Sequence, residues 1–298
     1  MERIVFYEWN ETEFGTTVER FLKRRGISHR VLVDLKNAPN GLSIDGAPVR
    51  TIDRLPPSGK LRLCLPETDQ SDSILAQPDL PLDIVYEDDD LFVICKPAGM
   101  AVHPSPRNRE NTVANALAAR YAAQGERFVF RAIGRLDKNT SGLLVAAKNA
   151  LSAGILTTQA TQKTMYHHYL AICAGELPPS GTIDAPIGRA DDSVIRREVR
   201  PDGDRAITHY ERLAVKDGYS LARVWLDTGR THQIRVHFSY IGHPLPGDFL
   251  YGPDFTRITR HALHAGFLHL HQPITGQPLQ FTAPMPDDMQ AFFPDFCL

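Results

Sequence analysis

The chain has few cysteines and no long hydrophobic run, and each of these absences excludes a class of protein. Its 298 residues include four cysteines, Cys64, Cys95, Cys173 and Cys297, which are far apart and form no Cys-x-x-Cys pair. Neither a disulfide scaffold nor a thiolate zinc site is therefore expected. No apolar run approaches the roughly 20 residues of a transmembrane helix, so the sequence predicts no membrane span.

The chain also has no marked excess of charge of either sign. The net charge is -2 and the isoelectric point is about 6.6. A global basic field is absent, but local basic patches are sufficient at a binding groove. Charge therefore neither supports nor excludes an RNA partner. Because the first residues are soon interrupted by Glu8, Glu11 and Glu13, they do not resemble a signal peptide, and a cytoplasmic protein is expected.

The length permits one large domain, or a large and a small one. Composition is ordinary for a globular protein, with 42% hydrophobic and 23% charged residues. A polar, proline-containing stretch without a clear period covers residues 67–82 and is typical of a linker. We therefore predict a front module at residues 1–68, a linker at 69–82 and a main domain at 83–298.

The front module shows two short helices followed by a small sheet. Thr16 or Thr17 can cap the first helix, and an Asp-Gly turn marks a hairpin within residues 42–49. This order is similar to the alpha-L RNA-binding module known from a ribosomal small-subunit protein. The alternative is an ordinary solvated helix face. The resemblance implies RNA-binding cations on the first helix, namely Arg20, Lys23 and Arg24.

The main domain is dominated by strand signals. A hairpin is predicted over residues 84–94, and further strands are predicted at residues 143–147, 168–173, 205–214 and 219–227. Helices are predicted at residues 111–124, 151–160, 231–241 and 287–293. Many strands with few, irregularly placed helices favour an α+β fold with a mixed, mainly antiparallel sheet.

A carboxylate between two cations marks the most informative segment of the main domain. Asp137 lies between Arg135 and Lys138, and small polar turn residues and an apolar run follow it. These turn residues satisfy their own backbone locally. Taken alone, Asp137 is therefore best interpreted as a solvated turn residue.

Three later segments carry further candidates for chemistry. Residues 167–175 contain Tyr169, which by itself is more often a core tyrosine. Residues 228–237 contain Arg230, His232 and Arg235, and a Gly-His-Pro segment with Asp248, a turn residue that we expect to brace the motif, follows. The last segment is Arg-His-Ala-Leu-His-Ala at residues 260–265. The histidines of the C-terminal part lack a supporting ligand set, so no metal site is expected; they are His261, His264, His269 and His271.

Taken in order, these segments resemble the RluA-type RNA pseudouridine synthases from about Ile84 to Pro286. The matching sequence motifs are Arg-Leu-Asp-x-x-Thr-Ser-Gly-Leu-Leu, Tyr-Leu-Ala, Thr-Gly-Arg-Thr-His-Gln-Ile-Arg-Val-His, Gly-His-Pro with Gly-Asp and Tyr-Gly, and Arg-x-x-Leu-His-Ala. Two positions depart from the family pattern. Gly134 stands where the family usually has histidine, and His167 stands where it often has lysine.

The resemblance implies isomerisation of uridine to pseudouridine in structured RNA, either large-subunit ribosomal RNA or transfer RNA. It implies no cofactor, in keeping with the lack of any dinucleotide or phosphate-loop motif. Asp137 would act beside C1′ as nucleophile, electrostatic stabiliser or base. Arg235 would orient it through charge-assisted hydrogen bonds, and Tyr169 would stack on the target base. Because the uridine must leave its stack, Arg135 would fill the vacated space.

The remaining implied RNA contacts in the main domain are Lys138, Arg230 and His232. A monomer that uses RNA as its partner and has no membrane association is expected. One rival hypothesis is a non-catalytic RNA-binding or ribosome-assembly protein on the same fold. A nucleoside glycosidase is another, but it would normally need a pair of carboxylates at the bond.

Overall fold

The structure, a computed structural model, describes residues 3–65, 74–105, 109–126 and 129–296. Residues 69–73 of the predicted linker lie outside these ranges. None of the helices within them combines the length and apolarity needed to cross a lipid bilayer.

The front part contains two capped helices and a small sheet. Thr17 caps the first helix, because its side-chain oxygen accepts a hydrogen bond from the Arg20 backbone at 3.3 Å. Ser28 caps the second in the same way. The elements are β1 (Arg3–Glu8), α1 (Val18–Arg24), α2 (His29–Asn37), β2 (Leu42–Ile44), β3 (Ala47–Pro48) and β4 (Lys60–Leu65).

The four strands of the front part pair in the order β1-β4-β2-β3, and all of these pairs are antiparallel. The two predicted helices, the hairpin within residues 42–49 and the small sheet are confirmed. The sequence analysis did not predict β1. Its residues Ile4-Val5-Phe6-Tyr7 form a short apolar run, but only Val5 is buried in this edge strand.

The main part contains the other twelve strands and four helices of the described chain. They are β5 (Asp83–Glu87), β6 (Leu91–Lys96), α3 (Val113–Ala122), β7 (Arg131–Ile133), β8 (Ser141–Ala147), α4 (Ala150–Gln162), β9 (Tyr166–Ala174), β10 (Ser180–Asp184), β11 (Ile187–Arg189), β12 (Arg197–Val199), β13 (Ile207–Lys216), β14 (Tyr219–Leu226), α5 (Gln233–Tyr240), β15 (Leu263–His271), β16 (Pro278–Thr282) and α6 (Asp287–Gln290).

Ten of these strands form one sheet, in the order β10-β13-β14-β9-β15-β8-β6-β5, with β16 beside β15 and β7 beside β8. The pairing of β15 with β8 is parallel, and the other described pairings of this sheet are antiparallel. The predicted α+β class with a mixed, mainly antiparallel sheet is confirmed. A separate hairpin, β11–β12, packs against α5.

A glycine allows the close approach at the parallel pair. Gly142 has a φ of +108°, and a Cβ atom there would collide with the backbone of Ala265. Only glycine combines that conformation with that proximity. The contact joins β8, which follows Asp137, to β15 in the middle of the sheet.

Two predicted helix starts were wrong by one residue. Thr112, not Asn111, caps α3, through a capping box with Asn115. His232, not Thr231, precedes α5, in a left-handed conformation and without a side-chain cap bond. The last helix is also shorter than predicted and ends at Gln290.

Helix α4 of the main part completes the core of the front part. Leu151 and Ile155 are buried among the apolar side chains of α1, α2 and β4. The Thr158 hydroxyl also donates a hydrogen bond to the Gly26 carbonyl at 3.3 Å. Apolar burial of this kind stabilises contacts in proportion to the area removed from water, so the two parts share a packed interface.

Candidate active site

An open cleft of about 660 Å³ is lined by residues of β8, β9, α5 and the loops beside them. This volume is within the range of small-molecule sites. The cleft collects six of the residues predicted to act in catalysis or RNA binding, from three distant parts of the chain: Arg135, Asp137, Tyr169, Arg230, His232 and Arg235.

Asp137 lies in the loop between β7 and β8, and its side chain is 28% exposed. Its backbone carbonyl accepts a hydrogen bond from the Thr140 amide at 3.1 Å. The Thr140 hydroxyl in turn bonds the His261 imidazole at 2.8 Å. The turn formers of the sequence therefore fix the aspartate loop, while the carboxylate itself remains open to the cleft.

Arg235 links Asp137 to a second, fully buried carboxylate. It lies on the first turn of α5 with its side chain only 3% exposed. Its Nη1 donates to Asp137 at 2.9 Å, and its Nε and Nη2 donate to Asp248 at 2.7 and 2.8 Å. Burial alone would lower the pKa of Arg235, but the hydrogen bonds and charge of Asp248 and Asp137 raise it.

Asp248 holds the arginine rather than facing the cleft. Its side chain is fully buried, which would raise its pKa, but the Arg235 hydrogen bonds outweigh burial and lower it. Two backbone bonds between Asp248 and Gly252 close the loop, and the Leu250 amide also donates to the carboxylate. The expectation that Asp248 braces the motif is confirmed, and the geometry adds its direct clamp on Arg235.

Tyr169 occupies the centre of the sheet. Strand β9 places it opposite Val224 of β14 and Ala265 of β15. Burial and the nearby charge of Asp137 raise the pKa of its hydroxyl to about 12, so the phenol is protonated at neutral pH. Tyr169 therefore presents an aromatic ring and a protonated hydroxyl to the same cleft as Asp137.

His232 and Arg230 form the rim of the cleft. The Nε2 of His232 lies 4.0 Å from Asp137, and its Nδ1 lies 3.0 Å from the Tyr251 hydroxyl. Burial lowers the pKa of His232, and Asp137 only partly opposes that effect. Arg230 is partly exposed and lies 3.5 Å from Asp204.

The other predicted RNA contacts lie outside the cleft lining. Lys138 is exposed one residue beyond Asp137, and its carbonyl accepts a hydrogen bond from Lys96 at 3.0 Å. The front cations Arg20, Lys23 and Arg24 are exposed on α1, and Lys23 pairs with Glu19 at 2.6 Å.

Lys96 is a site residue that the sequence analysis missed. Its fully buried ammonium group donates to the carbonyls of Pro97, Met100 and Lys138. Burial, helped by the charge of Arg260, lowers its pKa to about 7. Since its partners are backbone carbonyls, no residue pattern in the sequence indicated this tie between the end of β6 and the aspartate loop.

The two departures from the family pattern lie at the cleft. Gly134 has a φ of +81°, a left-handed conformation that favours glycine. His167 lines the cleft beside Tyr169, with ring centres 6.0 Å apart. Burial lowers the pKa of His167 to about 4, so this position carries no charge at neutral pH.

The four C-terminal histidines do not converge on a metal site. His261 and His264 are buried and bond Thr140 and Ser141, whereas His269 stacks on Tyr166. Across the described ranges, no group of three or more His, Cys, Asp or Glu side chains could hold a metal ion.

Comparison with known proteins gives one consistent family. Residues 90–240 match the family model described as RNA pseudouridylate synthase. An uncharacterized RNA pseudouridine synthase of Bacillus subtilis, YjbO, is 39% identical over 92% of this chain and 96% of its own length. The ribosomal large subunit pseudouridine synthase D of Nitrosomonas europaea is 42% identical over 84% of this chain and 75% of its own length.

Solved structures agree with the sequence relatives. Human RNA pseudouridylate synthase domain containing 1 superposes with a TM-score of 0.57 at 27% identity, over 68% of this chain and 83% of that one. Human RNA pseudouridylate synthase domain containing 4 gives the same TM-score at 22% identity, over 70% of this chain and 90% of that one. The second likeness concerns the fold alone.

Proposed function

Because the chain belongs to the RNA pseudouridylate synthase family and is of the RluA type, we propose that it isomerises uridine in RNA with Asp137 as the essential carboxylate. The observation that carries this assignment is the shared arginine. Arg235 is clamped by buried Asp248 and directs its remaining nitrogen, Nη1, at Asp137. An ionised, oriented acid at an open cleft is what a reaction beside C1′ requires.

The reaction transfers uracil from an N1 to a C5 linkage on the same ribose. One glycosidic bond breaks and one C–C bond forms, so no electron acceptor is needed, and we propose that the enzyme works without a cofactor. Asp137 acts beside C1′ of the extruded nucleotide, and the open choice is nucleophile, stabiliser or base at C2′. Activity should survive EDTA treatment and desalting, and its loss would contradict this part of the proposal.

Tyr169 is proposed to stack on the uracil and to assist proton transfer at C5. Support comes from its position in the cleft and from the protonated state of its hydroxyl. Arg135, Arg230 and His232 lie around the same opening, where the two arginines attract phosphate and the imidazole can hydrogen-bond to it. These three are proposed to hold the RNA backbone beside the target nucleotide.

The proposed substrate is large-subunit ribosomal RNA. The relative from Nitrosomonas europaea and those from two Vibrio species carry that substrate class in their names. The test is pseudouridine mapping of ribosomal and transfer RNA from cells with and without this protein. At least one ribosomal uridine should lose its modification and regain it when the wild-type protein is restored.

The same cells provide the matched test of the aspartate. Asp137→Asn should bind the target RNA but restore no pseudouridine, because an amide cannot supply the negative charge. Restoration by this variant would remove Asp137 from the mechanism. If no uridine changes in either RNA class, a binding or assembly role on this fold is favoured instead.

The front module, residues 1–68, is proposed to bind RNA through the exposed cations of α1. Replacing Arg20, Lys23 and Arg24 together with glutamine should weaken RNA binding and reduce its salt dependence, since each lost phosphate contact lowers the slope of log K against log salt by about 1. The saturating rate should be unchanged. An unaltered salt slope would instead indicate a solvated helix face.

A further inference from the structure

A large aromatic side chain lies in water directly beside the catalytic ion pair. Phe249 is 55% exposed, although its neighbour Asp248 is fully buried. Its ring centre lies 5.9 Å from the Arg235 guanidinium carbon. The same guanidinium contacts the Asp137 carboxylate at 2.9 Å.

The loop that carries Phe249 is rigidly held. The Asp248 and Gly252 backbones exchange hydrogen bonds at 3.1 and 2.9 Å, and the Leu250 amide bonds the Asp248 carboxylate at 3.0 Å. The same carboxylate clamps Arg235. The backbone that carries the exposed ring is therefore held in place relative to Asp137, so little backbone conformational entropy is lost when a partner stacks on the ring.

The chemistry of the position identifies the partner. A Phe side chain offers no hydrogen bond, so it recognises an apolar or aromatic surface and not a phosphate. Arg235 lies near Phe249 and also 5.1 Å from the Tyr251 ring, so both rings lie beside the same cation. A nucleobase has two π-faces that can stack on an exposed aromatic ring, whatever its sequence.

We propose that Phe249 is an RNA-positioning residue that stacks on a base next to the target uridine. This inference rests on the proposed function, because the RNA must already enter the cleft toward Asp137. Stacking of the neighbouring base would fix the backbone on one side of the extruded nucleotide. Phe249 would therefore contribute to binding and would leave the chemical step to Asp137, Tyr169 and Arg235.

Single-turnover pseudouridine formation on a ribosomal RNA fragment that carries the mapped uridine tests this role. Phe249→Ala should raise the half-saturating enzyme concentration roughly tenfold and leave the saturating rate within about twofold. Phe249→Trp should restore binding, whereas Phe249→Leu, which is apolar but has no π-face, should not. Phe255→Ala is the matched control, since Phe255 is also 48% exposed but lies outside the Asp248–Gly252 loop.

A direct readout uses 2-aminopurine placed on either side of the target in RNA bound to Asp137→Asn. Its fluorescence should be quenched at one flanking position, and the quenching should disappear when Phe249→Ala is added. Equal rescue by Leu and Trp would overturn the proposal, as would a lower saturating rate with unchanged binding. If the wild-type enzyme forms no pseudouridine, the proposed function itself fails. If the half-saturating concentration of Phe249→Ala equals that of the wild type, only this inference is overturned.

Discussion

Two aspartates of this molecule are each bound by an arginine, but their surroundings are opposite. Asp90 is 1% exposed, and its carboxylate accepts hydrogen bonds from four side chains: Arg3, Asn149, Ser152 and Gln272. The Asp137 side chain is 28% exposed and accepts from Arg235 at one oxygen. The first carboxylate is enclosed by donors, and the second faces the cleft.

This difference separates a structural carboxylate from the one that we propose to be reactive. Burial would raise the pKa of Asp90, but the Arg3, Asn149 and Ser152 hydrogen bonds outweigh it and lower the pKa. Asp90 links Arg3 of β1 to Asn149 and Ser152 at the start of α4. These donors occupy its lone pairs. At Asp137 only one donor of Arg235 is used, because the Nε and Nη2 of Arg235 bind Asp248. The other lone pairs of Asp137 therefore stay open to the cleft, where we propose that the substrate binds.

Replacing Arg235 with methionine should have the largest effect, because it removes the hydrogen bonds to Asp137 and to Asp248 together. Asp248 would be left buried without its partner, at a cost of about 3–5 kcal/mol of folding stability. Pseudouridine formation should fall to background even well below the unfolding temperature. Urea unfolding and single-turnover assays measure the two losses separately. A stable, active Arg235→Met variant would show that Asp137 does not depend on the clamp.

Replacing Asp90 with asparagine should separate stability from activity. Loss of the charge removes the buried partner of Arg3 and should cost about 3 kcal/mol. Turnover at 25 °C should remain within about twofold of wild type. Arg3→Gln is the matched partner variant, and the double mutant should cost less than the two single losses combined, since both remove one interaction. Lost activity without lost stability would contradict a structural role.

The sequence predicted the Asp137 side of this comparison because its partners occur in motifs. Asp137, Tyr169 and Arg235 lie in sequence motifs whose order and residues resemble those of one family, and all three line the same cleft. Their distances depend on how β9, α5 and the aspartate loop pack, which no single segment encodes. The clamp by Asp248 became visible only when α5 and the following loop were placed side by side.

The Asp90 side could not be predicted, because its donors come from residues 3, 149, 152 and 272, which share no periodic pattern. Lys96 was missed for a related reason, since its partners are backbone carbonyls. Strand β1 was overlooked although Ile4-Val5-Phe6-Tyr7 is a short apolar run, and β15 was overlooked although Leu268 and Leu270 alternate with histidines. Most other elements with clear apolar periods were found, because local pattern fixes element type more firmly than tertiary partners.

The pH dependence of stability should also differ between the two sites. Burial and the charge of Arg235 lower the pKa of His261, which bonds the Thr140 hydroxyl beside Asp137, to about 3. An unfolded histidine titrates near 6.5. As pH falls from about 6.5 toward 3, the unfolded chain binds a proton that the folded chain does not, so stability decreases. The pKa of Asp90 is lowered, so the stability that its carboxylate contributes is lost only as the pH falls below about 4.

His261→Gln should therefore reduce the loss of stability between pH 7 and pH 5 by about 2 kcal/mol. Glutamine can still bond Thr140 but does not titrate. Urea unfolding at both pH values measures the change. Asp90→Asn is the control, and its stability loss should be equal at the two pH values, because Asp90 is ionised at both. An unchanged pH slope in His261→Gln would show that the imidazole is already protonated in the folded state.

The smallest effect should come from Asp89, which differs from Asp90 chiefly in exposure. Its side chain is 83% exposed, and it lies 3.5 Å from the same Arg3 guanidinium. A pair in water gains little, because solvent screens the charges and ordering the side chains costs entropy. Asp89→Asn should therefore change the free energy of unfolding by less than about 0.5 kcal/mol. A loss as large as that of Asp90→Asn would mean that proximity to Arg3, rather than burial among several donors, makes a carboxylate structural here.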